Sequence, residues 1–190
     1  RRYLRKTGFA ASFETTVVLP LNEHTEPATI STYIQYLNEG HHCALMSEAG
    51  VPAVADPGSV LVGYCHQNGI QVIPLVGPSS ILLALMASGL NGQQFHFHGY
   101  IPVKQPMRKN YLQQMDNEAR KGITQIFIET PYRNNTIIQD VLQSCSNDTK
   151  FTIASDLTGP NEKINTQTIF NWKKQHPAPG KVPAIFLLGR

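Results

Sequence analysis

Two short loops carry the residue types best suited to chemistry in this sequence. Residues 47–58 combine two acids, two prolines and two glycines in twelve positions, directly after the apolar run 43–46. A second loop, residues 77–80 with the sequence Gly-Pro-Ser-Ser, follows the apolar run 71–76. Open α/β sheets bind ligands just beyond the carboxyl ends of their strands, where neighbouring loops leave a crevice. We therefore predict that the two loops share one binding site.

Each loop also has a purely structural interpretation. In the first loop, Pro52, Pro57 and Gly58 would only reverse the chain between a strand and a helix. In the second loop, Ser79 or Ser80 would cap the following helix, because a serine at a helix start satisfies backbone N–H groups. The same donors can also hold the polar atoms of a ligand. Capping and binding are therefore compatible interpretations of the second loop.

The elements that must position these loops alternate between short apolar runs and helical patterns. The runs predict strands at 16–19, 43–46, 71–76 and 94–100. The segments between them predict helices, which are placed at 27–38, 59–68 and 80–88. Such alternation is typical of an α/β fold with a mainly parallel sheet covered by helices.

The pattern breaks near residue 101 and resumes as a second α/β unit. We predict an N-terminal domain over 1–100 and a C-terminal domain over 101–190. The second domain opens with a charged helix at 107–121. Further strands are predicted at 125–128, 151–154 and 184–188, and further helices at 134–145 and 166–175.

Composition limits the function classes. The chain has 190 residues, of which 41% are hydrophobic and 15% charged, enough for one large core or two small ones. No apolar stretch approaches the length of a bilayer span, so we expect a soluble cytoplasmic protein. The net charge of +3 permits an anionic partner such as RNA but does not require one.

Cysteines and histidines give no metal or disulfide prediction. Cys43, Cys65 and Cys145 are too far apart for a CxxC motif, and their odd number argues against a disulfide framework. We expect reduced thiols. His96 and His98 would share one side of a strand, but no third ligand is near in sequence, so a packing or surface pair is the preferred interpretation.

The motifs, taken in order, resemble those of the tetrapyrrole methylase family. They are most similar to its branch of bacterial 16S ribosomal RNA cytidine 2′-O-ribose methyltransferases. The resemblance covers nearly the whole chain. The matching segments are Ser-Glu-Ala-Gly-Val-Pro at 47–52, Asp-Pro-Gly at 56–58, Val-Gly-Pro-Ser-Ser at 76–80, Ser-Gly-Leu at 88–90, Glu-Thr-Pro-Tyr-Arg at 129–133, and Asp-Leu-Thr at 156–158 with Glu162.

This resemblance implies a fold, a cofactor and a reaction. The fold would consist of two α/β domains with a cleft between them that binds S-adenosylmethionine. The reaction would be methyl transfer to a ribose hydroxyl of ribosomal RNA in the small ribosomal subunit, by a homodimer. Family members begin with a strand and a loop that form one wall of the cofactor site, so we expect that a few dozen residues precede Arg1 in the whole protein.

The resemblance also implies site residues. The cofactor residues would be Glu48, Val51, Ser79, Ser80, Thr130, Leu157 and Ala184. The basic residues at the substrate entrance would be Lys104, Arg108 and Arg133. Asp56 and Glu129 match positions from which a general base could act, although each could equally fix a loop, and the catalytic residue stays open.

The sequence departs from the family pattern at three places. Glu48 replaces an aspartate, Tyr132 replaces a histidine, and Gly-Pro-Asn at 159–161 occupies the place of Lys-x-His. These changes affect the acceptor more than the fold. Two alternatives therefore stay open: a methyltransferase acting on a tetrapyrrole or another small molecule, and a binding module that keeps the fold without turnover.

Overall fold

The fold was analysed in a computed structural model, which describes residues 2–9 and 15–190. Internal contacts divide the chain into two compact units, Arg1–Gly77 and Pro78–Arg190. This division differs from the predicted domains 1–100 and 101–190, which stay a prediction. No helix among the described residues is long and apolar enough to cross a membrane.

The described residues of the first unit form three helices: α1 (Arg2–Lys6), α2 (Pro27–Asn38) and α3 (Ser59–Gln67). Helix α2 begins with a proline, whose missing N–H is not needed in the first turn. It buries Ile30, Tyr33 and Ile34 on one side, as the helical spacing requires. The predicted helices over 27–38 and 59–68 are therefore confirmed to within one residue.

The three strands predicted in this unit are wrong as hydrogen-bonded strands. Residues 16–19, 43–46 and 71–76 carry no strand, and no sheet forms among the described residues of this unit. Apolar content predicts a strand only if a neighbouring segment completes the hydrogen-bond ladder, and such a partner cannot be read from the run itself. Ile73, Leu75 and Val76 are accordingly exposed.

The second unit contains four helices and one five-stranded sheet. The helices are α4 (Ser80–Ser88), α5 (Met107–Arg120), α6 (Asn134–Ser144) and α7 (Ile169–Gln175), with a 3₁₀ turn at Pro131–Arg133. The strands are β1 (Phe95–Tyr100), β2 (Thr124–Ile128), β3 (Lys150–Ser155), β4 (Lys163–Thr168) and β5 (Ala184–Gly189). Their order across the sheet is β1-β2-β5-β3-β4.

The sheet of this unit is mixed, with parallel and antiparallel strand pairs. Only β1 and β2 pair in parallel, while β5 runs antiparallel to both β2 and β3. Strand β4 pairs antiparallel with β3 after a tight turn, as short connections allow. The predicted helix over 166–175 is correct only from Ile169, because the residues before it belong to β4.

The sheet is covered on both faces. On one face Phe127, Phe151 and Phe186 stack within the core formed with α5, α6 and α7. On the other face, Ala84 and Leu85 of α4 form a smaller cluster with alternate strand residues such as Ile185. The alternation of side chains along each strand therefore assigns every strand position to one face.

Candidate functional site

The loop at 47–58 is a tightly folded turn. Gly58 lies immediately before α3 with φ = 140°, and a Cβ at this position would be 2.7 Å from Leu45 Cδ2. Both its backbone angle and the approach of Leu45 therefore require glycine. Ala53 and Ala55 also have positive φ values, of 65° and 52°. The loop thus keeps a defined shape, as its prolines and glycines predict.

The first loop lies next to the start of the second one. Val51 Cγ1 would be 3.7 Å from a Cβ on Gly77, which is ordinary van der Waals contact. Glu48 is exposed in the same loop, and the Ser47 hydroxyl donates to Ala49 O over 2.9 Å. The structure therefore brings Val51 beside residue 77, at the point where the Gly-Pro-Ser-Ser loop begins.

Helix α4 points its amino end toward one end of the sheet. Leu90, just after the helix, lies beside Gly189, because a Cβ on that glycine would be 2.8 Å from Leu90 Cδ2. The carboxyl end of α4 also accepts a hydrogen bond, which Thr166 Oγ1 donates to Ser88 O over 2.8 Å. Since α4 packs along β5 with its carboxyl end at Gly189, its amino end is directed toward the start of β5.

The amino end of α4 is not capped by a side chain. Ser79 occupies the N-cap position with extended backbone angles, but its side chain makes no capping hydrogen bond within the described part of the chain. The prediction that Ser79 or Ser80 caps this helix is confirmed for the position, because Ser79 is the N-cap residue and Ser80 the first helical residue, but not for a side-chain hydrogen bond. The first backbone N–H groups of a helix need acceptors, so this end can receive a polar or anionic ligand.

The same end of the sheet carries the other predicted cofactor residues. Ala184 begins β5 and pairs with Ser155, the last residue of β3, so Leu157 follows at this end. Ile128 closes β2 opposite Ile185, and Thr130 follows two residues later. The structure thus brings Thr130, Leu157 and Ala184 together at the end toward which α4 points.

Leu157 and Ala184 belong to opposite faces of the sheet. The Leu157 side chain packs against the cluster that contains α4, whereas the Ala184 side chain packs against the core of α5, α6 and α7. Any contact of Ala184 with a ligand on the α4 face therefore comes from its main chain.

Glu129 lies between two predicted site residues. Its side chain is fully buried, and its Oε1 accepts hydrogen bonds from Thr130 N at 2.7 Å and from Arg133 Nη2 at 2.6 Å. The Thr130 hydroxyl donates to the same oxygen over 3.3 Å. A carboxylate at the end of β2 thus fixes both the backbone of Thr130 and the guanidinium of Arg133.

The basic residues predicted at the substrate entrance have different surroundings. Lys104 is exposed in the loop before α5. Arg108 is buried on α5 and forms an ion pair of 2.6 Å with Asp140 of α6. Arg133 is partly exposed. Lys104 and Arg133 can reach an external anion, whereas Arg108 already has a buried partner and stays a prediction as a substrate residue.

Of the histidine pair on β1, His98 makes internal hydrogen bonds, whereas His96 is exposed and its ring centre lies 6.3 Å from that of His98. Gln125 donates its amide to Ile123 O, so its Oε1 accepts from His98 Nε2 over 2.7 Å. The bonding pattern therefore assigns the proton to Nε2, and Nδ1 accepts from the Tyr111 hydroxyl over 2.8 Å. No group of three or more metal-binding side chains occurs among the described residues.

Comparison with known proteins assigns the family. The model of the Tetrapyrrole (Corrin/Porphyrin) Methylases matches residues 1–171. The chain belongs to this family. The sequence motifs at 47–58 and 76–80 lie within the matched residues.

Several curated relatives within the tetrapyrrole methylases share the name "Ribosomal RNA small subunit methyltransferase I". The protein from Vibrio cholerae is 36% identical over 149 residues, 78% of this chain and 51% of the relative. The protein from Haemophilus influenzae is 33% identical over 171 residues, 88% of this chain and 59% of the relative. That from Mesorhizobium japonicum is 37% identical over 150 residues, 78% and 49%. The chain thus spans about half the length of the curated relatives it matches.

Solved structures share the fold at low sequence identity. The methyltransferase CobJ superposes with a TM-score of 0.63 and 17% identity, covering 98% of this chain and 80% of CobJ. The uroporphyrin-III C-methyl transferase from Thermus thermophilus, complexed with S-adenyl homocysteine, gives a TM-score of 0.51 and 15% identity, with coverage of 86% and 72%. These likenesses show the tetrapyrrole methylase fold.

Two supporting residues were not predicted from the sequence. The Asn134 amide donates to Gly180 O and Val182 O over 3.0 and 2.7 Å, and so holds the segment that leads into β5. Asp156 donates its N–H to Pro183 O over 2.9 Å and accepts from Asn161 N at 2.9 Å, which shapes the Leu157 loop. Three of these four bonds join segments distant in sequence, so only the position of each residue beside a motif could have pointed to it.

Proposed function

We propose that this chain is part of an S-adenosylmethionine-dependent methyltransferase that methylates a ribose 2′-hydroxyl of 16S ribosomal RNA. The observation that carries this proposal is the gathering of Thr130, Leu157, Ala184 and the uncapped amino end of α4 at one end of the sheet. The names of the curated relatives support the ribosomal acceptor.

The residues at this end of the sheet fit the chemistry of the cofactor. S-adenosylmethionine would supply an electrophilic methyl group on a sulfonium. Apolar Leu157 suits the adenosyl part, while the N–H groups at the start of α4 and the hydroxyls of Ser79 and Ser80 suit polar groups of the cofactor. Glu48 and Val51 of the first loop complete the proposed cofactor residues.

The chain's own task in the reaction is mainly positioning. The ribose oxygen would take the methyl group from the sulfonium, which would leave as a neutral thioether, and the hydroxyl proton would pass to a base or to water. In-line placement of the acceptor can supply much of the rate enhancement. Lys104 and Arg133 are proposed to hold the RNA backbone through phosphate contacts, which give affinity without reading sequence.

Two further features of the whole protein are part of the proposal. We propose a cytoplasmic location and a homodimer, both of which rest on the family resemblance. A tetrapyrrole acceptor or a binding module without turnover is the alternative, and the experiment below separates each from the proposal.

The proposal is tested with full-length protein by calorimetry and methyl transfer. We expect stoichiometric binding of S-adenosylmethionine, and transfer of a radiolabelled methyl to small-subunit RNA from cells that lack the gene. Leu157→Glu should weaken cofactor affinity at least about tenfold, because a charge replaces an apolar contact. Phe170→Glu places the same charge on an exposed apolar residue of α7, at the opposite end of the sheet, and should bind normally.

Each contrary result has a distinct meaning. No cofactor binding by the folded wild-type protein would contradict the enzyme proposal. Cofactor binding with transfer to a tetrapyrrole but not to RNA would contradict the ribosomal acceptor. Binding without transfer to either would favour the binding module.

A further inference from the structure

A buried ion pair at the end of β2 leaves two complementary atoms unsatisfied. Glu129 is 4% exposed, and its Oε2 has no hydrogen-bond partner among the described residues. Arg133 Nε is also buried and without a partner in the same part of the chain. One is an acceptor and the other a donor, and the two residues already meet through Glu129 Oε1 and Arg133 Nη2.

A small rotation of the guanidinium would satisfy both atoms at once. It would turn the single contact into a side-on bidentate pair, with Nε donating to Oε2 and Nη2 to Oε1. This is the geometry that planar guanidinium and carboxylate groups favour. The inner edge of Arg133 would then be fully occupied, and Nη1 would be left on the outer edge.

The outer edge of Arg133 is available to a ligand. Its side chain is 22% exposed, and its guanidinium carbon lies 5.4 Å from the centre of the Tyr132 ring. Tyr132 is itself exposed, and a cation–π contact of this kind limits the directions the guanidinium can take. Arg133 is therefore held by its ion pair with Glu129 and by its contact with the ring of Tyr132, the residue that replaces the family's histidine.

The same contacts argue against Glu129 as the general base. Its Oε1 already accepts from Thr130 N, Thr130 Oγ1 and Arg133 Nη2. Its Oε2 is buried, so a substrate hydroxyl has no access to either oxygen in this arrangement. A general base must come within hydrogen-bond distance of the proton it removes.

We propose that Glu129 is a positioning residue which orients Arg133 so that the outer edge of its guanidinium binds a phosphate of the RNA substrate. This inference rests on the proposed function, because it takes RNA as the ligand. It differs from the family resemblance, which left Glu129 as a candidate base and gave Arg133 no partner.

The test is a double-mutant cycle on RNA affinity, with Glu129→Gln, Arg133→Gln and the double variant in full-length protein. Each single change should weaken binding to small-subunit RNA about tenfold, since a hydrogen bond to a charged group is lost. Each change should also reduce the magnitude of the slope of log affinity against log salt concentration by about one, which corresponds to the loss of one phosphate contact. The double variant should bind no more weakly than the singles, because both remove the same contact.

Two controls separate positioning from folding. Arg133→Lys keeps a positive charge beside the buried Glu129 but cannot form the side-on pair, so we expect the same loss of RNA affinity with unchanged cofactor affinity. Thermal unfolding of this variant checks that it is folded at the assay temperature. Arg120→Gln removes one positive charge from the exposed carboxyl end of α5 and should leave RNA affinity and salt slope unchanged.

Three results would overturn the inference. If the double variant loses RNA affinity by the product of the two single losses, Glu129 and Arg133 act independently. Loss of transfer by Glu129→Gln with unchanged RNA affinity and a flattened pH–rate profile would show a base. Wild-type protein that transfers no methyl to RNA would remove the proposed function itself, whereas normal wild-type transfer with independent losses would remove only this inference.

Discussion

At the level of single residues, the three free cysteines differ in their surroundings. Cys43 is exposed, whereas Cys65 and Cys145 are buried. Burial raises the pKa of the Cys145 thiol well above its ordinary value, and the carboxylate of Asp116 raises it further against a smaller opposing effect of Lys173. Because the thiolate is the reactive form, Cys145 should be inert in the folded protein.

We therefore predict that a maleimide at pH 8 modifies Cys43 quickly and Cys145 only after unfolding. Peptide mapping by mass spectrometry after short labelling measures this, with urea-unfolded protein as the control in which all three cysteines react. Equal labelling rates for Cys43 and Cys145 in native protein would show that the core around Cys145 opens readily.

The raised pKa of Cys145 also sets the sign of a pH effect. Above the ordinary value of about 9, the unfolded chain loses a proton that the folded chain keeps, so the free energy of unfolding falls as pH rises. The predicted loss is up to about 1.4 kcal/mol per pH unit from this one group. Urea unfolding between pH 8 and 10 should show a steeper decline for the wild type than for Cys145→Ala. Parallel declines would contradict the assignment.

Residue types alone could not separate the two arginines predicted at the substrate entrance. Arg108 and Arg133 are both basic residues at the start of a helix, Arg108 in the first turn of α5 and Arg133 immediately before α6. In the structure, Arg108 is buried against Asp140, while Arg133 is held by Glu129 and partly exposed. The difference lies in a partner supplied by another helix, which one sequence without a contact map does not contain.

At the level of elements, Asp116 connects α5 to the turn between α6 and β3. Its Oδ2 accepts from Ser146 N at 3.1 Å and Ser146 Oγ at 2.7 Å, and its Oδ1 accepts from Thr149 Oγ1 at 2.5 Å. Both Asp116 and Thr149 are buried. One carboxylate thus satisfies three donors that join two layers of the second unit.

We predict that Asp116→Ala destabilises the protein by about 3 kcal/mol, because buried donors lose their acceptor. Urea unfolding measures the change. Asp148→Ala, the same substitution at an exposed position of the adjoining turn, should stay within about 0.5 kcal/mol of the wild type. Equal midpoints for the two variants would show that the Asp116 hydrogen bonds contribute little.

The sequence predicted correctly those helices and strands whose own residues carry a clear apolar pattern. The apolar runs of β2, β3 and β5 are buried in the sheet, and the helices α4, α5 and α6 begin where predicted. Strand β4 was missed because Lys-Ile-Asn-Thr-Gln-Thr contains one apolar residue and depends on pairing with β3. The apolar runs 16–19, 43–46 and 71–76 of the first unit were wrongly predicted as strands, because they pair with no other strand among the described residues.

At the level of the whole molecule, the motifs carried more information than the composition did. A net charge of +3 is compatible with many partners. The motifs at 47–58 and 76–80, taken in their order along the sequence, instead pointed to the tetrapyrrole methylases, to which the chain belongs. The placement of the proposed site residues Thr130, Leu157 and Ala184 at one end of the sheet was predictable, because each lies at or just beyond the end of a strand. The supporting contacts were not predictable where they join segments distant in sequence, as Asn134 does with Gly180 and Val182.

The central claim is that the protein methylates a ribose of small-subunit ribosomal RNA, and mapping 2′-O-methyl groups in that RNA tests it most directly. The maps to compare come from wild-type cells, cells without the gene, and cells complemented with the wild type or with Leu157→Glu. We predict that one methylated position disappears on deletion, returns with the wild-type gene and stays absent or reduced with Leu157→Glu. Identical maps in the presence and absence of the gene would contradict the claim.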